Sequence, residues 1–179
     1  ISVKAVVLPS ELKIIGKEAF KNNKLVVLEI PNKVTDVKEF AFLGNELKSV
    51  TIPNSVVNLE EGAFAENNLT AVNLPANITT IAKNLFSNNE LVSITIPNGL
   101  TYIGSAFQNS GITSITVPNN VTKISLTDCV HLKSATLPNT ITEFRATRCS
   151  SLVSFIIPNS TDKILNSAFE DCFSLKSVV

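Results

Sequence analysis

The chain has 179 residues with 15 basic and 15 acidic side chains, so its formal net charge is zero. This balance gives no electrostatic basis for binding nucleic acid or an acidic membrane, because both need an excess of basic residues. A hydrophobic content of 44% with 8 Pro and 6 Gly is too apolar for a disordered chain and too poor in Gly and Pro for collagen. The chain has no uncharged apolar run of about 18 residues, so we expect no membrane insertion of this segment.

Residue types that carry chemistry are scarce. The chain has one His, one Tyr, no Trp and no Met. It contains none of the glycine-rich phosphate loops, the HExxH zinc motif or the GxSxG nucleophile motif. We therefore expect no enzyme, no catalytic residue, no metal site and no cofactor.

An internal repeat dominates the sequence. Apolar residues recur six, three and one residues before each Pro and six residues after it, and a Phe, usually preceded by Ala, recurs in most units. A fixed period of this kind indicates a repeat architecture, here one domain over residues 1–179 with about eight repeats of 20–23 residues. The prolines are spaced by 22 residues in four intervals and then by 21, 20 and 20: Pro9, Pro31, Pro53, Pro75, Pro97, Pro118, Pro138 and Pro158.

Each unit is too small to bury its own apolar residues, so the units must stack into a solenoid. The β-branched segment before each Pro predicts a short strand, for example Leu91–Ile96 and, in the first unit, Val3–Leu8. Stacked strands would form a parallel sheet at about 4.8 Å per unit, and Pro would end each strand because it has no N–H for the ladder. We expect a short helical turn around each Phe, with Phe64 and Leu69 nearly fully buried.

Two units depart from the pattern. Between Ile124 and Leu132, and between Phe144 and Leu152, the Phe is missing and the chain is two to three residues shorter. We expect the solenoid to be least regular on its convex side near residues 125–150.

The repeat L-x-x-V/I-x-I/L-P-N-x-V/I-T-x-I-x-x-x-A-F-x-x-N/C-x-x-L resembles the BspA-like class of leucine-rich repeats over residues 3–179. The resemblance implies an α/β fold, a leucine-rich-repeat solenoid with a curved parallel β-sheet on one face and short strands or helical turns on the other. It also implies a bacterial cell-surface or secreted protein, whose signal and anchor lie outside this sequence. Members of this class are implicated in adhesion and in contacts with host proteins.

Strand residues two and four positions before each Pro are expected to point away from the core, on the face where solenoids bind ligands. The candidate ligand-binding residues are small, polar and uncharged, which suits a host or cell-surface protein or a glycan. The alternative is that they are ordinary solvated strand residues, since the face lacks the Trp and Tyr that anchor tight interfaces. The candidates are Ser49, Thr51, Asn73, Ser93, Thr95, Ser114, Thr116, Ser134 and Thr136.

Charge is unevenly distributed along the repeats. Residues 67–122 contain only Lys83 and Glu90 as charged residues. Interface cores are depleted in charge, so this region is a candidate contact surface, although drift of composition between repeats would give the same pattern.

The three cysteines lie in one slot of the repeat. Cys129, Cys149 and Cys172 each stand three residues before a Leu, so they should stack on neighbouring coils. Buried free thiols, a disulfide between neighbouring coils and a metal site with His131 are the three interpretations, and the first fits best.

Three functions remain open from the sequence. They are a surface adhesion or protein-binding module, a structural spacer and an intracellular interaction scaffold. The first predicted strand begins almost at residue 1, and the chain stops within a strand at Val179. We therefore expect a fragment of a longer protein, whose uncapped terminal coils could associate end-on.

Overall fold

Residues 2–179 are described by a computed structural model, in which the chain winds into a parallel β-solenoid of about eight turns. Every paired strand is parallel to a strand of the neighbouring coil. Three sides of each coil contact the next coil, and the apolar residues of the repeat fill the space between them. The predicted leucine-rich-repeat solenoid is confirmed.

One side of the solenoid is a sheet built from the strands that follow the prolines, which we call the back sheet. Its strands pair in the order β1-β2-β4 and, after a break, β6-β7-β9-β11-β13. In every back-sheet strand except β13 the residue six positions after Pro is buried, as in Val37, Ile81 and Ile124, whereas Ile164 of β13 is exposed. The strands are β1 Ile14–Ile15, β2 Asp36–Val37, β4 Asn58–Leu59, β6 Thr80–Ile81, β7 Tyr102–Ile103, β9 Lys123–Ser125, β11 Glu143–Arg145 and β13 Lys163–Ile164.

The segments immediately before the prolines form a second side, which we call the front face. Five of them are strands, and with the equivalent strand β14 at the end of the chain they join in three separate pairs, β3-β5, β8-β10 and β12-β14. Because they alternate between core and solvent, these strands present every second side chain outward. The strands are β3 Ser49–Thr51, β5 Ala71–Asn73, β8 Ser114–Thr116, β10 Ser134–Thr136, β12 Ser154–Phe155 and β14 Ser177–Val178.

The strand predictions for Val3–Leu8, Leu25–Ile30 and Leu91–Ile96 are wrong. All three segments run along the front face without forming strands. Within residues 2–179 no backbone hydrogen bond joins Leu91–Ile96 to the front-face segments on either side of it. These segments keep the apolar spacing of the repeat, but their backbones do not form the hydrogen-bond ladder of a sheet.

The third side consists of stacked turns around each Phe, which we call the Phe turns. Backbone N–H groups donate to carbonyls of the next coil, as from Phe42 to Ala63 at 2.8 Å and from Phe64 to Leu85 at 3.1 Å. Left-handed residues flank the Phe, such as Phe40 with φ of 56° and Gly44 with φ of 68°. Such residues interrupt a right-handed helix and turn the N–H groups along the solenoid axis.

The α/β class is not confirmed, because residues 2–179 contain strands and turns but no α-helix. The short helical turns expected at the Phe positions are these non-helical turns, whose N–H groups bond alternately to the next coil, as from Phe42, and within their own coil, as from Leu43 to Phe40.

Stacked Phe rings form the centre of the core. Successive rings from Phe20 to Phe64 lie 5.4 Å apart, and the stack continues at 6.1 and 6.3 Å through Phe86 to Phe107. Phe64 and Leu69 are both fully buried, as predicted. Offset-stacked rings at these distances gain more than their area burial alone.

The two short units keep the solenoid continuous. Their Phe positions hold Leu126 and Ala146, whose N–H groups still donate to the next coil. Phe144 and Phe155 fill the space that the missing rings leave, with ring centroids 4.9 Å apart and each within 5.5 Å of Phe169. The expected irregularity near residues 125–150 is therefore confined to chain length and surface shape.

Replacing Phe64 by Ala should lower the free energy of unfolding by about 3–5 kcal/mol, through lost burial and the cavity left in the stack. Phe173, which is 81% exposed, provides the matched control. Phe173→Ala should change stability by less than about 1 kcal/mol. Urea unfolding followed by circular dichroism measures both, and equal midpoints for the two variants would refute the stacked-core interpretation.

Candidate functional site

All nine candidate residues are exposed on the front face. In β3, β5 and β8 they flank a buried residue, Val50, Val72 or Ile115, which anchors each strand to the core. The alternation places the candidate side chains in two columns that run along the solenoid. Their exposure agrees with the expectation, and a ligand role for them stays a prediction.

The register of the front strands sets the spacing of these side chains. Thr51 lies opposite Asn73, and the Nδ2 of Asn73 donates to the Oγ1 of Thr51 at 3.4 Å. Further along, Ser114 lies opposite Ser134 and Thr116 opposite Thr136. Ser93 and Thr95 lie between these two paired regions, on the segment that is not hydrogen-bonded to its neighbours. The front face thus presents hydroxyl and amide groups in rows, with one interruption.

A chain of depressions follows the front face over the first four coils. Three depressions of about 440, 430 and 500 Å³ share lining residues, since Glu29 lines the first two and Thr51 the last two. Asn32 lines all three, so they form one continuous groove. Of the nine candidates, the groove contains Ser49, Thr51 and Asn73.

The groove also contains residues that the sequence analysis did not choose. Val7 is 96% exposed and Val27 is 74% exposed, and both line its first part. Glu29 lies beside them and forms no ion pair within residues 2–179. Val27 and Glu29 occupy the same two columns as the chosen residues. Their positions, four and two residues before Pro31, could have identified them. They were not chosen because one is apolar and the other is charged, whereas the chosen residues are small, polar and uncharged.

Comparison with known families agrees with this geometry. The model of the BspA type leucine rich repeat region matches the chain in six copies, over residues 1–113 and 104–179. The chain belongs to the BspA-type leucine-rich repeat family. No curated protein is similar enough to the chain to be matched.

Solved structures with the same fold come from bacteria. A leucine rich cell surface protein from Faecalibacterium prausnitzii has a TM-score of 0.63 at 23% identity, over 96% of this chain and 58% of that one. A leucine-rich repeat protein from Eubacterium ventriosum has a TM-score of 0.57 at 20% identity, over 94% and 64%. The pneumococcal vaccine antigen PcpA has a TM-score of 0.51 at 16% identity, over 95% and 60%.

These similarities show the fold alone. The chain spans about three-fifths of the length of these structures. Among residues 2–179 there is no helix long and apolar enough to cross a membrane.

A ladder of buried Asn side chains joins the coils of this repeat protein where the Phe turns end. The Oδ1 of Asn67 accepts from the Leu47 N–H at 3.1 Å, and its Nδ2 donates to the carbonyls of Phe42 and Phe64 at 3.0 and 3.2 Å. Asn45 and Asn89 repeat these bonds one coil before and one coil after. The recurrence of Asn three residues after Phe could have predicted this ladder from the sequence.

The three cysteines continue the same ladder. The Sγ of Cys149 donates to the Leu126 carbonyl and that of Cys172 to the Ala146 carbonyl, both at 3.0 Å, while Cys129 bonds the Phe107 carbonyl at 3.7 Å. A thiol can replace the Asn Nδ2 as a hydrogen-bond donor, but it does not replace the Asn Oδ1, which accepts a bond from a backbone N–H. The cysteine coils carry one extra residue before the next Leu, which lets that Leu N–H bond to the carbonyl of its own Cys instead.

All three thiols are free and buried, in agreement with the first interpretation. His131 is exposed while Cys129 is buried, so the two side chains do not converge on one point. Hydrogen bonding with Cys149 and burial hold the pKa of the Cys129 thiol well above its ordinary value, and burial raises the pKa of Cys172. Protonated thiols are the form that the ladder bonds require.

Ser110 is the weak member of the ladder. It follows Phe107 by three residues, as the Asn residues follow theirs, but its Oγ is buried without a hydrogen-bond partner. The Leu91 N–H, which an Asn at this slot would hold, has no hydrogen bond within residues 2–179. The Leu91 N–H, at the start of the unpaired front-face segment, therefore lacks the bond that Asn45, Asn67 and Asn89 supply to the corresponding N–H groups of other coils.

Ser110→Asn should stabilise the protein by about 1–2 kcal/mol, because it would restore bonds to the Leu91 N–H and to the carbonyls of Phe86 and Phe107. Urea unfolding measures the gain, and hydrogen exchange should show new protection at Leu91. Ser110→Ala is the control and should give no protection there. A lower midpoint for Ser110→Asn than for Ser110→Ala would contradict the ladder argument.

The thiols should be inert in the folded protein, because all three sulfur atoms are buried away from a reagent in solution. Ellman's reagent should label fewer than one thiol per folded chain and all 3 cysteines in denaturant. Fast labelling of the native protein, with unchanged circular dichroism, would show that the ladder opens readily.

Proposed function

We propose that the chain is a non-catalytic binding module of a bacterial surface or secreted protein, with its ligand along the front face. The observation that carries this proposal is the exposure of all nine small polar residues on one face, next to a continuous groove. A flat row of uncharged groups can contact a partner without the cost of desolvating charges.

The ligand that this face suits best is a host or cell-surface protein. Exposed Val7 and Val27 offer apolar contact, and the unpaired carboxylate of Glu29 offers a bond to a cationic side chain. Hydroxyl rows also suit a glycan, although no aromatic side chain is available among the nine candidates for stacking on a sugar ring. The zero net charge argues against nucleic acid.

Two of the proteins with the same fold support a location at the cell surface or outside the cell. One similar structure is a leucine rich cell surface protein and another is a vaccine antigen, and both are bacterial. We extend this location to the present chain, either attached to the cell surface or secreted.

The proposal is tested by a binding screen of the purified chain against host extracellular proteins and a glycan array. For any partner found, Ser93, Thr95, Ser114 and Thr116 are replaced together by Lys. These residues are exposed, so the fold should survive. Affinity should fall at least about tenfold, because four buried ammonium groups would lack counter-charges in the complex.

The matched control places Lys on exposed strand positions of the back sheet, Thr80 and Tyr102. Its affinity should equal that of the parent chain. An equal loss for both variants, or none for the front-face variant with normal circular dichroism, would overturn the front-face site. If no partner binds at all, a spacer role replaces the binding role, and light scattering would then show whether the chain associates end-on.

A further inference from the structure

The two short units leave a notch on the surface of the solenoid, between the back sheet and the Phe turns. Ile81 is followed by Phe86 five residues later, and Ile164 by Phe169 at the same distance. In the short units Ile124 is followed by Leu126, and Phe144 by Ala146, only two residues later. The hydrogen bond from the Leu126 N–H to the Arg145 carbonyl, at 2.8 Å, shows that these coils still stack in register. We therefore infer that the missing residues would have lain on the outer surface, between the back sheet and the Phe turns.

Arg145, at the end of β11, is the one residue that remains between Phe144 and Ala146, where most other coils have four. Its Nε is buried and has no hydrogen-bond partner, and its guanidinium forms no ion pair within residues 2–179. The neighbouring Arg148 differs, because its guanidinium bonds both carboxylate oxygens of Asp128. An unpaired buried donor on a charged group is costly and calls for a partner.

A chain of hydroxyl groups lies beside Arg145. Ser125 is its partner in the parallel register of β9 and β11. The Oγ of Ser125 is 2.7 Å from the Oγ of Ser105 and 3.0 Å from the Oγ1 of Thr127. Three hydroxyls carry three protons and these two contacts use two of them, so one O–H remains available to donate. The notch thus offers a guanidinium fork and at least one hydroxyl donor.

The charge on the back-sheet side of the notch favours an anion, whereas the Phe turns on the other side carry Arg148 with Asp128, Glu170 and Asp171. The outward charged residues of β9, β11 and β13 are Lys123, Arg145 and Lys163 against one carboxylate, Glu143, so three positive and one negative charge leave a balance of plus two. Glu143 lies 3.7 and 3.6 Å from the two lysine ammonium groups, so it is already shared between them.

We propose that this notch is a binding site for an oxyanion, a sulfate, phosphate or carboxylate group of a ligand, held by Arg145 with the Ser105–Ser125–Thr127 hydroxyls. The guanidinium fork matches two oxygens of such a group, and the hydroxyl donor serves a third. The site lies on a different side from the front face, so the two sites can be occupied independently.

Isothermal titration calorimetry tests the site with three probes at constant ionic strength: sodium sulfate, 3′-sialyllactose and lactose. We expect sulfate or sialyllactose to bind, and lactose, which lacks the carboxylate, not to bind. Binding of sulfate alone indicates a tetrahedral anion, and binding of sialyllactose alone indicates a carboxylated glycan. Arg145→Gln should weaken binding at least about tenfold, because it removes the charged donors.

Two further variants separate binding from folding. Arg145→Lys keeps the charge but loses the fork, and Ser125→Ala keeps the arginine but breaks the hydroxyl chain, so both should bind more weakly than the parent chain. Lys133→Gln, an exposed cation outside the notch, is the control and should bind normally. Equal affinity of all variants, binding of lactose as tight as that of sialyllactose, or no binding of any probe would overturn the proposal.

Discussion

The structure depends on hydrogen bonds that run from coil to coil, because no repeat of about 22 residues can bury its own core. The Phe turns supply the most regular of these bonds, and the Asn and Cys side chains beside them hold the backbone groups that the turns leave free. Left-handed residues on each side of the Phe make this possible, since they point the N–H groups along the axis. The ring stack then fills the space that the turns enclose.

Two kinds of substitution interrupt the Asn ladder. The Cys coils replace an amide by a thiol and add one residue, so the following Leu N–H finds a new acceptor. Ser110 lacks both the amide and the extra residue, and the front face is open beside it. The front face is the least continuous side of the solenoid, because its strands join only in pairs.

The period of the prolines and apolar residues predicted the coils, the family and the burial of Phe64, because core burial repeats with the chain. It failed for Val3–Leu8, Leu25–Ile30 and Leu91–Ile96, whose apolar spacing matches that of the paired segments although they form no strand. It also gave helical turns where φ is positive, as at Phe40, a residue that carries no sequence signal for that conformation. The groove residue Val27 was missed because only small polar side chains were sought.

A solenoid can vary one coil without disturbing the others, and this property explains how one short chain carries two unlike surfaces. The front face around residues 93–116 has no charge and depends on the strand register. The notch contains Arg145 and arises because three residues are missing from each of two coils, while Phe144 and Phe155 keep the core filled beneath it. Restoring the missing residues would close the notch and leave the front face unchanged. A ligand that reached both surfaces would have to wrap around the solenoid, whereas two separate ligands could bind without contact.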